Sequence, residues 1–562
     1  ELPDAQLWWP NGMGAQPLYQ VSARLLFDGA ECDRREQTIG LRTIEIDRSP
    51  LADGTRFRFI VNGQPVFCRG GNWAPADMIP ARIPKERYEA LVAEAQAAGF
   101  TMFRMNGIGL YEDDCFFDAC DRAGILLWQD FMFACSEYPD QDVQFQESVR
   151  KEAEAVVRRL RHHPALALWC GCNECLWAIT SGGLHSDLTN LDALGGTRVY
   201  GQILPEAIRR IDPQRAYWPC SPYGGDMPND EQHGNCHWWG AFMSRDFTQR
   251  CNLGVADACR AHFVSEYGII GPPHEDSVRE YLKPEEQTRD SLAWKIHVNT
   301  IEHGSVNAGI RLHYGDPEGL SFSDYLLYGQ MHQAMAQGHA MEAMRFRKAD
   351  PEAECWGALV WSYNDCWGEV GWSVIDHYLR RKASYYWLRR ACQPVKIITR
   401  PRGEQMVTRI VNDTLQARAG EVQHGWFRLD GTDRRMTTRQ VAIPANGMVE
   451  IAREVISDDL SPREWVYGAV LRGEGLEDQA VWLLAPVREL ALPEPQLAVN
   501  RQGNLLEISS PVFCHAVHGY DGGHAVLSDN YFDLLPGISR RVAVVGEMPE
   551  LRALLPLSVM QR

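Results

Sequence analysis

Between about residue 56 and residue 394, short apolar runs alternate with stretches in which apolar positions recur every three or four residues, the pattern of βα units and a parallel sheet. The runs are Val66–Arg69, Met102–Met105, Ile125–Trp128, Ala165–Cys170, Ala216–Cys220, Asn235–Trp238, His262–Val264 and Ala358–Trp361. Tyr88, Leu91, Val92, Ala95 and Ala98 share one helical face, and Val149, Ala153, Val156 and Leu160 share another that ends before Pro164. Gly124 stands where a C-terminal cap follows a helix through Phe116–Cys120. Eight strands with crossover helices over roughly 340 residues predict a (β/α)8 barrel. Its largest insertion runs from about 269 to 354, with helical texture around Leu326–Met344.

The flanks read as β-structure. Trp8-Trp9-Pro10-Asn11-Gly12, followed by alternating Leu18, Gln20 and Ser22, resembles the late part of a β-domain and assigns 1–48 to the tail of a sandwich. After a barrel over 49–394, the runs Val395–Arg400, Val407–Asn412, Gly425–Leu429 and Glu464–Arg472 predict one sandwich over 395–490. Ala491-Leu492-Pro493-Glu494-Pro495 reads as a linker, and 491–562 as a second, smaller sandwich. The chain opens Glu1-Leu2-Pro3, without Met or signal peptide. The expectation is a chain that starts inside a longer parent, with an N-terminal fragment of that parent as a candidate partner and the compartment, cytoplasmic or periplasmic, left open.

Composition narrows the class. The 562 residues carry a net charge of −18, with 45 % hydrophobic and 23 % charged residues. That mix excludes a disordered or fibrous chain. No run reaches the roughly 20 apolar residues that span a bilayer, and so acidic a surface repels phosphate, which argues against nucleic-acid partners. The sixteen cysteines lack the spacing of a disulfide scaffold, and many, such as Cys68, Cys170 and Cys355, sit in apolar runs as free buried thiols. Eighteen Trp and nineteen Tyr supply rings that can serve as sugar platforms.

In such a barrel, chemistry sits at the C-terminal ends of the strands. Run four ends in Asn173-Glu174 and run seven in Ser265-Glu266-Tyr267-Gly268. Two carboxylates aimed into one cleft from opposite strands are what glycoside hydrolysis requires, one to protonate the leaving oxygen and one to attack or to activate water. A gap near ~5.5 Å gives retention of configuration and one of ~6.5–9.5 Å inversion. Either Glu alone could equally be an ordinary strand-end carboxylate.

At these residues the chain resembles family 2 glycoside hydrolases, β-mannosidases in particular. Trp169-Cys170-Gly171-Cys172-Asn173-Glu174 is similar to their acid/base motif and Ser265-Glu266-Tyr267-Gly268 to their nucleophile motif. The likeness continues through Arg69–Asp77, Trp128–Cys135, Arg161-His162-His163-Pro164, Asn364–Trp367 and Ser528–Gly537. It implies a central TIM barrel flanked by immunoglobulin-like β-sandwich domains, and a retaining exo-hydrolase of terminal β-mannosides in oligosaccharides that needs no metal or other cofactor. By motif, Glu174 becomes the general acid/base, with a raised pKa, and Glu266 the ionised nucleophile. Asn173 becomes the partner of the sugar 2-hydroxyl, and Arg104 the cation that keeps Glu266 ionised. Asp130, His237, Trp239 and Trp361 become the walls of the first sugar pocket.

The stretch Arg104-Met105-Asn106-Gly107-Ile108-Gly109 departs from the family, which has Trp where this chain has Asn106. Losing an aromatic wall bears on which sugar fits. Ser362 and Cys172 are further departures. They keep open another β-glycosidase on the same scaffold (β-glucosaminidase, β-galactosidase or β-glucuronidase) and a non-catalytic carbohydrate-binding protein. Cys172-Asn173-Glu174-Cys175 is a lone C-x-x-C without the second pair that a zinc site calls for.

Overall fold

The structure, a computed structural model, describes residues 4–177, 195–240, 247–351, 353–519 and 526–560. The chain divides into two compact units.

The first unit, 1–238 with 259–267 and 350–366, holds the barrel. Its strands are β1 (Cys68–Trp73), β2 (Met102–Met105), β3 (Leu126–Asp130), β4 (Leu166–Cys170), β5 (Ala216–Trp218), β6 (Cys236–His237), β7 (Val264–Tyr267) and β8 (Gly357–Val360). Parallel ladders run from β1 through β5, and from β6 through β8 back to β1. Among the described residues no ladder joins β5 to β6. That seam is drawn together beyond the strand ends by a bridge between Tyr223 and Asn235 and by Ser221 Oγ donating to Asn235 Oδ1 at 2.7 Å. The strands are buried nearly throughout, as parallel strands covered on both faces must be.

Three barrel helices follow the sequence pattern. In α1 (Lys85–Ala97) the buried residues are Tyr88, Leu91, Val92 and Ala95. In α2 (Asp114–Ala123) the Asp113 side chain accepts from Cys115 N at the start, and Gly124, at φ 74°, closes the end in the left-handed region. In α3 (Val143–Leu160) Asp142 caps the first turn, and Val149, Ala153, Val156 and Leu160 face inward. Gly70 lets β1 approach β2, since a Cβ there would lie 1.9 Å from Met102 O.

Aromatic side chains plug the barrel from within. Phe57 and Phe59, on the chain entering β1, pack against Trp128 of β3 at 5.6 and 6.3 Å and against Phe263, which precedes β7, at 5.2 and 6.0 Å. Trp128 also carries the layer above, because its Nε1 donates to Asp130 Oδ1 at 3.0 Å.

The second unit comprises 239–258, 268–349 and 367–562. The segment expected as the barrel's largest insertion groups here, including a 25-residue helix, Phe322–Phe346. A three-stranded antiparallel sheet begins at Val395–Arg402, and a four-stranded one is built around Arg418–Arg428. They share a core of Val395, Ile397, Ile410, Val422, Ala469 and Leu471. The final sheet runs Ala498–Gln502, Leu505–Ser509, Arg540–Val545 and Val526–Leu527, over Leu506, Ile508, Val517, Phe532 and Val542. No helix among the described residues is long and apolar enough to cross a membrane, and all sixteen cysteines are free thiols.

Candidate active site

The polar residues at the barrel's mouth are longer continuations of the strands than the apolar runs suggest. Asp130 and Glu266 lie inside β3 and β7, because the ladders extend past the apolar stretch. Arg104, on β2, points into the barrel and is fully buried. A buried guanidinium is tolerable only with its donors satisfied. Nη2 donates to Asp130 Oδ2 at 2.7 Å and Asn173 Oδ1 at 2.7 Å, and Nη1 to Glu266 Oε1 at 2.6 Å and Asn72 Oδ1 at 3.0 Å. Burial works against its charge, but Asp130 and Glu266 outweigh that and hold Arg104 more firmly protonated than usual. Burial raises Asp130 despite Arg104.

Glu174 reaches the same cavity from beyond β4. Asn173 bridges to Ala134 on one side and Ser221 on the other, extending the sheet by one residue. Glu174 itself sits at φ 57°, a left-handed conformation that costs a non-glycine residue on the order of 1 kcal/mol. Its N–H donates to Ser221 O at 2.8 Å, which anchors the turn.

His237, buried at the end of β6, joins the two acids. Its Nδ1 is 2.7 Å from Glu174 Oε1 and 3.3 Å from Glu266 Oε2, and its Nε2 is 2.9 Å from Ser221 Oγ. One oxygen of Glu174, one of Glu266 and a His237 nitrogen all lie within 4.8 Å of one another. These three could span a divalent cation; Asp118, Asp121 and His163 form another such donor set.

Three carboxylates, Asp130, Glu174 and Glu266, face one permanent cation, Arg104, so the cluster retains a proton at neutral pH. Burial pushes Glu266 up to about 8, against the pull of Arg104 and with help from the negative charge of Glu174. Burial also acts to raise Glu174, but the hydrogen bond and charge interaction with His237 outweigh it and leave Glu174 below its ordinary value. This reverses the order expected from sequence, because Glu266 is the more deeply buried of the two. Burial lowers His237 to about 4, so its ring is neutral.

The first unit thus brings together Arg104, Asp130, Asn173, Glu174, His237 and Glu266. Trp361, half-buried, follows β8, with its N–H donating to Tyr267 O at 2.7 Å. Trp239 falls in the second unit, where its ring meets Trp372 at 6.4 Å and the Arg250 guanidinium at 5.2 Å. Sequence reasoning missed Asn72, Ser221, Asn235 and Cys135, and it treated Asn106 only as a departure. Cys135 Sγ lies 3.4 Å from Glu174 Oε2, and burial, then the Glu174 charge, raises its thiol to about 12. Asn72 and Ser221 each lie in the polar stretch just after an apolar run, and that position was the available signal; Cys135, seven residues beyond run three, carried none. Trp177 stands edge-on to His237 at 6.4 Å.

Residues 492–559 match a mannosidase Ig-fold domain model. The chain is 30 % identical over 581 residues to β-mannosidase B of Aspergillus terreus and 30 % identical over 580 residues to that of Aspergillus oryzae, covering 97 % of this chain and 68 % of each relative. The crystal structure of a β-D-mannosidase from Dictyoglomus thermophilum superposes with a TM-score of 0.88 at 31 % identity, over 98 % of this chain and 68 % of that one. An exo-chitosanase from Amycolatopsis orientalis shares the fold, with a TM-score of 0.74 at 17 % identity. A barrel with two acids at its mouth, an Ig-fold C-terminus and near-complete coverage by these relatives agree on one placement: the chain belongs to the β-mannosidase family of glycoside hydrolases.

Proposed function

We propose that the protein is an exo-acting, retaining β-mannosidase that removes terminal β-D-mannosyl residues from oligosaccharides or glycoconjugates, with Glu266 as nucleophile and Glu174 as general acid/base. The observation that carries this reading is the pair of carboxylates meeting at His237, 2.7 Å and 3.3 Å from its Nδ1 and with one oxygen of each within 4.8 Å, close enough for both to serve one anomeric carbon. Glu266 Oε1 is taken up by Arg104 and Asn106, which leaves Oε2 as the attacking atom. The Glu266 carboxylate bonds to the anomeric carbon as the glycosidic C–O bond breaks, and the proton held by the pair passes from Glu174 to the leaving oxygen. Water then attacks the same carbon, Glu174 takes its proton, and Glu266 leaves as a carboxylate. The reactive tautomer has the proton on Glu174, so the shared proton must cross from Glu266 when the sugar fills the cleft.

Proton NMR of the first-formed sugar from an aryl β-mannoside tests the reading. β-Mannose before mutarotation is expected, and α-mannose overturns the double displacement. A panel of aryl β-mannoside, glucoside, galactoside, glucosaminide and glucuronide tests the sugar; a faster rate on any but the mannoside overturns that assignment.

A further inference from the structure

The resemblance that names this family leads one to expect a tryptophan where this chain has Asn106, and the structure gives that asparagine a task no aromatic ring could perform. Asn106 is 2 % exposed and follows β2 directly. Its amide orientation is set by the backbone, since Ile108 N donates to Oδ1 at 3.0 Å. Both hydrogens of Nδ2 therefore face the cleft, and both find acceptors: Asn173 Oδ1 at 2.8 Å and Glu266 Oε1 at 3.1 Å. The loop around it is tight. Gly109 N donates to Asn106 O at 2.9 Å, and a Cβ on Gly107 would lie 2.3 Å from Phe133 O.

We propose that Asn106 is a positioning residue of the hydrolysis, holding the Glu266 carboxylate by Oε1 and turning the Asn173 amide so that its NH2 faces the sugar. The Asn173 carbonyl oxygen accepts from Arg104 Nη2 and Asn106 Nδ2 together, which uses both of its lone pairs. The amide cannot flip without leaving two buried donors unpaired. The end left to the cleft is Nδ2, whose partner here is the weakly accepting Cys135 Sγ at 3.4 Å. A sugar hydroxyl entering beside Glu266 thus meets a donor and binds through its oxygen. Asn106 supplies to Glu266 a neutral hydrogen bond beside the charge of Arg104, in a cleft where Asp130 and Glu174 oppose ionisation and neutral His237 stands at Oε2.

This inference rests on the proposed roles of Glu266 and Asn173, so the experiment carries its own control. Asn106→Ala and Asn106→Asp would be assayed with an aryl β-mannoside across pH, with circular dichroism melting to confirm folding. Asn106→Ala is expected to lose on the order of tenfold to a hundredfold in kcat/KM, mostly through kcat, because misplaced reacting groups cost rates of that size. The basic limb of its pH profile, where Glu266 gives up the pair's last proton, should move upward, since the Glu266 carboxylate has lost a donor. Asn106→Asp should move that limb further, by adding a like charge. A folded Asn106→Ala enzyme with an unmoved basic limb and wild-type kcat overturns the inference, even if Asn106→Asp fails to fold. Glu266→Gln separates the two levels. If that variant is dead while the Asn106 variants are normal, only this inference falls; if it turns over at the wild-type rate, the proposed function falls and takes this inference with it.

Discussion

Replacing Glu266 with Gln should stabilise the protein, and by an amount that depends on pH. The side chain keeps its volume, and its carbonyl oxygen can still accept from Arg104 and Asn106. What disappears is a carboxyl whose pKa rises from 4.5 to about 8 on folding. The native state therefore binds more protons than the unfolded chain between those values. The stability that Glu266 contributes is fully present below pH 4.5 and is lost as the pH climbs toward 8. At about 1.4 kcal/mol per pH unit, wild type loses roughly 3 kcal/mol relative to the variant between pH 5 and pH 7.5. Glu174, held low by His237, has the opposite sign, but its contribution is already nearly complete at pH 5 and is common to both proteins. Thermal midpoints measured side by side should show the variant gaining roughly 5 °C more over wild type at pH 7.5 than at pH 5, while activity is lost. A midpoint gap that stays constant with pH would refute the reasoning, because it would mean that no excess proton resides on this pair.

The pH–rate profile should be a broad plateau, with its basic limb near about 8, where Glu266 gives up the pair's last proton, and its acid limb below the ordinary glutamate value; a basic limb below pH 6 contradicts this. Arg104→Lys keeps the charge but not the fork that serves Asp130, Asn173, Glu266 and Asn72, so kcat/KM should fall by two or more orders of magnitude, measured with the same aryl glycoside. Asp121 accepts from Ala165 N at 2.9 Å and lies 2.6 Å from His163 Nδ1, at the start of β4 and so at the opposite end of that strand from Glu174, so Asp121→Ala should cost about 1–3 kcal/mol of stability and leave kcat unchanged, read by urea unfolding and steady-state rates. Phe263→Ala opens the aromatic plug and should cost about 3–5 kcal/mol, with a lowered melting temperature as the readout.

The barrel was legible because most of its strands lie in or beside an apolar run and its helices α1 and α3 each bury a single apolar face. Strand ends were less so: Asp130 and Glu266 belong to ladders, yet a polar side chain looks like the end of a run until its neighbours across the sheet are known. Within the cleft, motifs pointed to Glu174 and Glu266, but they carry no information on which acid is the more buried, and that decides where the proton rests. Asn106 was visible as a substitution, but its work depends on Asn173 and Glu266, 67 and 160 residues further along the chain. Ser221 follows run five and Asn235 opens run six, and nothing in the sequence links the two; they become significant only because β5 and β6 fail to pair.

The unlaced gap between β5 and β6 has a consequence for how this enzyme should wear out. The hydroxyl of Ser221 is both a stitch across that gap and the prop beneath the imidazole that touches both acids. Water prising the cylinder open there must disturb His237 before any ladder has to break. Gentle heating should therefore deform the pH dependence of turnover while circular dichroism still records an intact barrel, so that loss of proton control heralds loss of structure.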